Sequence, residues 1–127
     1  MQEQHLYEYA VIRVVPRVER EEFINVGVIV FCKRRKFIKM RFHLNEVRLQ
    51  ALWPELDAGV LKANLDSFEA IARGAKGAGP IALLEMPERF RWLTAVRSSV
   101  IQTSRPHPGL CTDLEHCTEK LFLELVC

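Results

Sequence analysis

The chain has 127 residues, 49% of them hydrophobic, which suits one domain with a real core and argues against a disordered segment. Its formal net charge of +2 is too small to carry a nucleic-acid or membrane role by itself, so any such role must rest on a local cluster. No apolar run approaches the length of a bilayer span; the longest, Val26 to Cys32, has the length of a strand.

Met1-Gln2-Glu3-Gln4-His5 has neither the basic start nor the apolar core of a signal peptide, so the expected compartment is the cytoplasm and no membrane role is expected. Four cysteines are present, Cys32, Cys111, Cys117 and Cys127, and an even count alone does not imply disulfides there.

Leu6 to Val15 alternates, with Tyr7, Tyr9, Val11 and Val15 on one face and Leu6, Ala10, Ile12 and Val14 on the other. Apolar residues on both faces predict a central or covered strand, which Pro16 ends. Arg17 to Glu22 is a polar connection. Phe23 to Cys32 reads as a second strand, with Ile24, Val26, Val28, Val30 and Cys32 on one face and Gly27, Ile29 and Phe31 on the other. Gly27 inside it predicts a bulge or a close backbone approach. After the turn Lys33-Arg34-Arg35-Lys36, the segment Phe37 to Leu44 alternates cleanly and predicts a half-buried strand.

Then the period changes from two to three and four. Asn45 caps a short helix through Leu52, halted by Pro54, and Asp57 caps a longer one bearing Leu61, Leu65, Phe68 and Ala72 on one stripe. Gly74 stops it, and a loop runs to Pro80. Pro87 opens another short helix, Ser99 to Thr103 reads as a strand, and Ser104 to Gly109 as irregular. Thr112-Asp113-Leu114-Glu115 matches a capping box with Thr112 as the cap. A terminal helix follows, with Leu114, Cys117, Leu121 and Leu125 on its apolar face. Strands first and helices second predict an α+β fold: an antiparallel sheet of about three to four strands with helices packed on one side, in a single domain over residues 1–127.

Four clusters carry candidate chemistry. The first is Arg13 and Arg17 with Glu22 and Asn25. Asn25 is polar within an apolar strand and needs a hydrogen-bond partner; a solvated hairpin loop with Asn25 bonded at a bulge is the plainer alternative. The second is Arg97, Ser98 and Ser99 with His107 and Asp113. Arginine beside a helix N-terminus favours an anion, although Asp113 also fits a simple helix cap and no nucleophile-elbow pattern surrounds the serines. The third is His107, Cys111, His116 and Cys117, within eleven residues. Their spacing is not that of a zinc site, so no metal is expected. The fourth is basic: from Lys33 to Arg48 seven lysines and arginines face one acid, Glu46. Lys39 and Arg41 share a strand face that could follow a nucleic-acid backbone or simply keep an edge soluble. No phosphate-binding glycine loop occurs, and no cofactor is expected.

Tyr9-Ala10-Val11-Ile12-Arg13-Val14-Val15-Pro16-Arg17, Asn25-Val26-Gly27-Val28, Phe90-Arg91-Trp92-Leu93 and Arg97-Ser98-Ser99 through His107-Pro108-Gly109-Leu110 resemble a bacterial family, domain of unknown function 3037 (DUF3037), from about Tyr7 to Val126. Glu21 and Pro108 depart from that family's pattern, which often has glycine and threonine there. The resemblance implies no established activity. It does imply gene neighbourhood with a HipA-like kinase, and so a partner or regulatory role.

Three functional expectations follow. The foremost is a binding or regulatory module acting with a protein partner, for which the resemblance implies that kinase, through Arg13, Arg17, Glu22 and Asn25, with Arg97 and His107 forming a polar pocket. A second is a small enzyme acting on a phosphorylated or nucleic-acid substrate, with Arg97 holding the anion, Ser98 or Ser99 positioning it and His107 as general acid or base. It requires Arg97, Ser98 and His107 to line one cavity. A third is nucleic-acid binding through the Lys33 to Arg48 strand.

Overall fold

The computed structural model describes residues 3–97 and 99–127. Strands β1 (His5–Val14), β2 (Ile24–Cys32) and β3 (Phe37–Phe42) come first. Helices α1 (Glu46–Leu52), α2 (Ala58–Ala72) and α3 (Met86–Leu93) follow, then the short strands β4 (Ile101–Thr103) and β5 (His107–Cys111) and the C-terminal helix α4 (Leu114–Leu125). The class is α+β, and the antiparallel sheet has five strands. No helix among the described residues is long and apolar enough to cross a membrane.

β1 is the centre of the sheet. β2 pairs along one edge, and β4 and β5 share the other, β4 against Ile12 to Val14 and β5 against His5 to Tyr9. β3 extends the sheet beyond β2. β1 is bonded on both edges and carries apolar side chains on both faces, so each face gains from being covered. Ala10, Ile12 and Val14 are fully buried in the larger core with Leu49 of α1, Leu61 and Leu65 of α2, and Phe90 and Leu93 of α3. Tyr7 faces the other way, into a second cluster with Val30, Cys32, Leu114 and Cys117. Three helices pack on one side of the sheet, and α4 covers β2 and β3 on the other, so the helices do not all lie on the one side expected from the sequence: the apolar face of β2 bearing Val28, Val30 and Cys32 also needs a cover.

Asn45 and Asp57 cap their helices as the sequence predicts, accepting from the amides of Arg48 (3.2 Å) and Val60 (3.1 Å). Both readings of Gly27 hold. The β1–β2 register slips between Ile12, opposite Gly27, and Arg13, opposite Asn25, so Val26 is an extra residue. A Cβ on Gly27 would lie 2.6 Å from the Arg41 carbonyl oxygen and 2.9 Å from the Phe42 Cβ.

The slip corrects the expected face assignment of β2. Simple alternation puts Ile24 and Val26 with Val28, Val30 and Cys32. Instead, Val26 is buried in the larger core with Ile29 and Phe31, Ile24 packs against it, and Val28 contacts Phe122 and Val126 near the end of α4. One inserted residue reverses the period-two pattern for everything before it.

Three further expectations are revised. His107 to Gly109 is not irregular but belongs to β5: an edge strand bonds on one side only, so Pro108 costs it no ladder bond. Gly109 lies opposite Tyr7, whose ring fills the space a Cβ would need. The α4 cap is Asp113 rather than Thr112, its carboxylate accepting from the His116 amide at 3.0 Å. β3 ends at Phe42, and its polar face is partly covered by α4. Lys39 pairs with Glu115 at 2.6 Å and Arg41 with Glu119 at 2.5 Å, both on α4.

Gly27→Ala tests the close approach of β2 and β3. It should destabilise the fold by about 1–3 kcal/mol, read as a lower urea midpoint at unchanged slope. An unchanged midpoint would show that the strands can part to admit a methyl group.

Candidate functional site

Beside α4 the sheet presents a strip built mainly from β1, and alternation decides what it carries. Ile12 and Val14 point into the larger core, so Arg13 between them points to the α4 side. Its register neighbours are Asn25 on β2 and Gln102 on β4, which makes a polar row across three strands. Four residues along β1, about 13 Å away, Tyr9 faces the same side. Opposite it on β5 stands the exposed His107, its ring 5.4 Å from that of Tyr9 and tilted by 41°. The strip therefore has a cationic end and an aromatic end.

The Arg13 guanidinium stacks on Phe23, 4.1 Å above the ring centroid. Its Nε is buried with no hydrogen-bond acceptor, and among the described residues it pairs with no carboxylate. Burial lowers its pKa. Arginine nonetheless stays charged at neutral pH, so this is a cation that has lost water without gaining a counter-ion. Asn25 donates through Nδ2 to the Leu125 carbonyl of α4 (3.2 Å), while its Oδ1 is buried without a donor. Gln102 donates through Nε2 to the Ser99 carbonyl at 2.9 Å.

Of the residues singled out from sequence, Arg13, Asn25 and His107 thus share one face of the sheet. The others go elsewhere. Arg17 and Glu22 line a cleft of about 380 Å³ with Arg20, Trp53 and Pro54, between the β1–β2 connection and the end of α1, and Glu22 is paired with Arg20. Arg97 lies over Trp92 (4.6 Å) and Phe68 (5.5 Å) and donates to the Trp92 carbonyl, with burial lowering its pKa. Phe68 belongs to the larger core, so Arg97 and His107 stand on opposite sides of the sheet. The Ser99 hydroxyl donates to the Ile101 carbonyl at 2.6 Å, Asp113 caps α4, and Ser98 lies outside the described residues.

The basic strand is engaged too. Lys39 and Arg41 are held by α4 carboxylates, and Arg41 also lies 4.6 Å over the Phe122 ring. Among the described residues, no three or more of His, Cys, Asp and Glu are grouped to hold a metal ion.

Sequence reasoning passed over Phe23, Tyr9 and Gln102 as parts of this strip. For Tyr9 the signal was present: it has the parity of Arg13 in an unbroken strand. For Phe23 and Gln102 no local signal exists, since their place depends on the bulge and on pairing across about ninety residues of chain.

The family model described as "Protein of unknown function (DUF3037)" matches residues 9–126, nearly the whole chain, and the chain belongs to that family. No curated protein and no solved structure matches it.

The Asn25 bond to the last turn of α4 is open to test. Asn25→Ala should cost about 1 kcal/mol in urea unfolding, the net worth of one such hydrogen bond. It should also speed hydrogen exchange of the α4 C-terminal amides, and unchanged exchange there would show that α4 is held without it.

Proposed function

We propose that this member of the DUF3037 family is a binding or regulatory module that acts with a protein partner, and that the partner docks on the sheet strip bearing Arg13, Asn25 and His107. The observation that carries the reading is the unpaired Arg13. A half-buried guanidinium braced by an aromatic ring and lacking a carboxylate is poorly satisfied in the free protein, and a carboxylate from a partner would satisfy it. Arginine and aromatic residues are also the types that concentrate binding energy at protein interfaces. The strip is a strand surface rather than an enclosed pocket, which suits a protein surface better than a small molecule.

The competing readings have less support. An enzyme using Arg97 and His107 together needs both in one cavity, and a sheet lies between them. Nucleic-acid binding through the basic strand needs Lys39 and Arg41 free, and each is paired with a glutamate of α4. The family resemblance makes a HipA-like kinase the first partner to test.

The test is affinity capture of the tagged chain from its native host with identification by mass spectrometry, using wild type, Arg13→Ala and Arg97→Ala as baits. The expected result is one dominant protein with wild type and with Arg97→Ala, and at least tenfold less of it with Arg13→Ala, as for an interface anchor worth about 1.4 kcal/mol or more. Loss with Arg97→Ala alone would move the contact to the other side of the sheet. Capture of nothing by wild type would end the reading.

A further inference from the structure

We propose that Cys111 and Cys117 are a disulfide-forming pair, a modification site that ties the end of β5 to the early turns of α4. Both residues line one cavity of about 470 Å³, whose wall also includes Tyr7, His116 and Lys120. Both belong to the cluster on the α4 side of the sheet that contains Tyr7 and Cys32. Cys117 acts on both neighbours, raising the pKa of the Cys111 thiol and of the Tyr7 hydroxyl. The two cysteines differ in access: Cys111 is half-buried at the end of an edge strand, whereas Cys117 and Cys32 are buried. That difference assigns the roles, Cys111 meeting the oxidant and Cys117 resolving the product.

The oxidant is a small-molecule disulfide, for which oxidised glutathione is the probe. Cys111 gives up its proton to solvent, and its thiolate attacks one glutathione sulfur. The glutathione S–S bond breaks, and one glutathione leaves and takes a proton. Cys117 then loses its proton and attacks the Cys111 sulfur, displacing the second glutathione, which is protonated in turn. Two protein thiols have become one disulfide, and one glutathione disulfide has become two thiols.

The surroundings set the rate. Burial, then the neighbouring Cys117, push the Cys111 thiol up to about 11, with a smaller opposing effect from the Asp113 amide. Burial and Cys117 also hold the Tyr7 hydroxyl above the usual phenol range. The titratable groups around the pair are Tyr7 and Tyr9 of β1, Cys32 of β2, and Asp113, His116, Lys120 and Glu124 along α4. Since the thiolate is the nucleophile, little of it exists near neutrality, and the exchange should accelerate about tenfold per pH unit until Cys111 titrates.

The experiment uses the full chain carrying Cys127→Ser, which removes the exposed thiol, folded and incubated with excess oxidised glutathione at pH 7, 8 and 9. Samples are acid-quenched, alkylated, digested and weighed. The expected product is a peptide spanning Cys111 and Cys117 that resists alkylation and is lighter by two hydrogen atoms, formed about a hundred times faster at pH 9 than at pH 7. Cys117→Ser should stop at a glutathione adduct on Cys111, and Cys111→Ser should give no adduct on Cys117, so either variant serves if the other fails to fold. A lasting adduct on Cys111 with Cys117 present, a bridge to Cys32, or no reaction at any pH while the urea-unfolded chain reacts would each overturn the proposal.

Discussion

β1 is hydrogen-bonded along both edges, and nearly everything else in the molecule answers that fact. Such a strand has no free edge, and its apolar side chains on both faces are what call for cover on each side. One face is filled by Ala10, Ile12 and Val14 against three helices. The other is only partly roofed, because α4 lies mainly over β2 and β3 and reaches β1 at its Tyr7 end. The candidate site lies in the remainder, where Tyr9 and Arg13 are half-buried on either side of the buried Val11.

α4 is anchored in two ways at once. Leu114, Cys117, Phe122 and Val126 bury apolar surface against the sheet, and Glu115 and Glu119 meet Lys39 and Arg41 along its flank. Those ion pairs are partly exposed and each contributes little to stability. Their larger effect is on register: the carboxylates stand one helical turn apart and the cations two residues apart on β3, so the spacings match in only one placement. The same placement brings the last turn of α4 to Asn25. A basic strand that looks in isolation like a nucleic-acid surface thus helps to position a helix.

The fold class, the three long strands, the four helices and two of the helix caps were legible in the sequence, because each rests on a local rule of spacing or cap chemistry. The three misreadings about face, strand and cap have physical causes. The face of Val26 depends on a slip against β1 that only the paired strand reveals. β5 was hidden because Pro108 and Gly109 read as loop residues until an edge position and the Tyr7 ring give each a reason. Thr112 and Asp113 both suit a cap, and one-residue phase is the least local part of a helix boundary. The site was legible only in pieces. Arg13, Asn25 and His107 each stood out, but nothing in a linear reading says that they share a face while Arg97 does not.

The bulge at Val26 means that the length of β2 carries information apart from its composition. Side chains on a strand are assigned to a face by odd and even count, and the extra residue changes the count between Gly27 and everything before it. Losing or gaining a single residue in this segment would exchange the surroundings of Ile24 and Asn25, turning an apolar side chain toward the end of α4 and an amide into the core. A change of two residues would preserve both. Descent should therefore tolerate many replacements in this strand, and paired insertions or deletions, while rejecting single ones; the spacing from Asn25 to Gly27 is a parity constraint written into the chain.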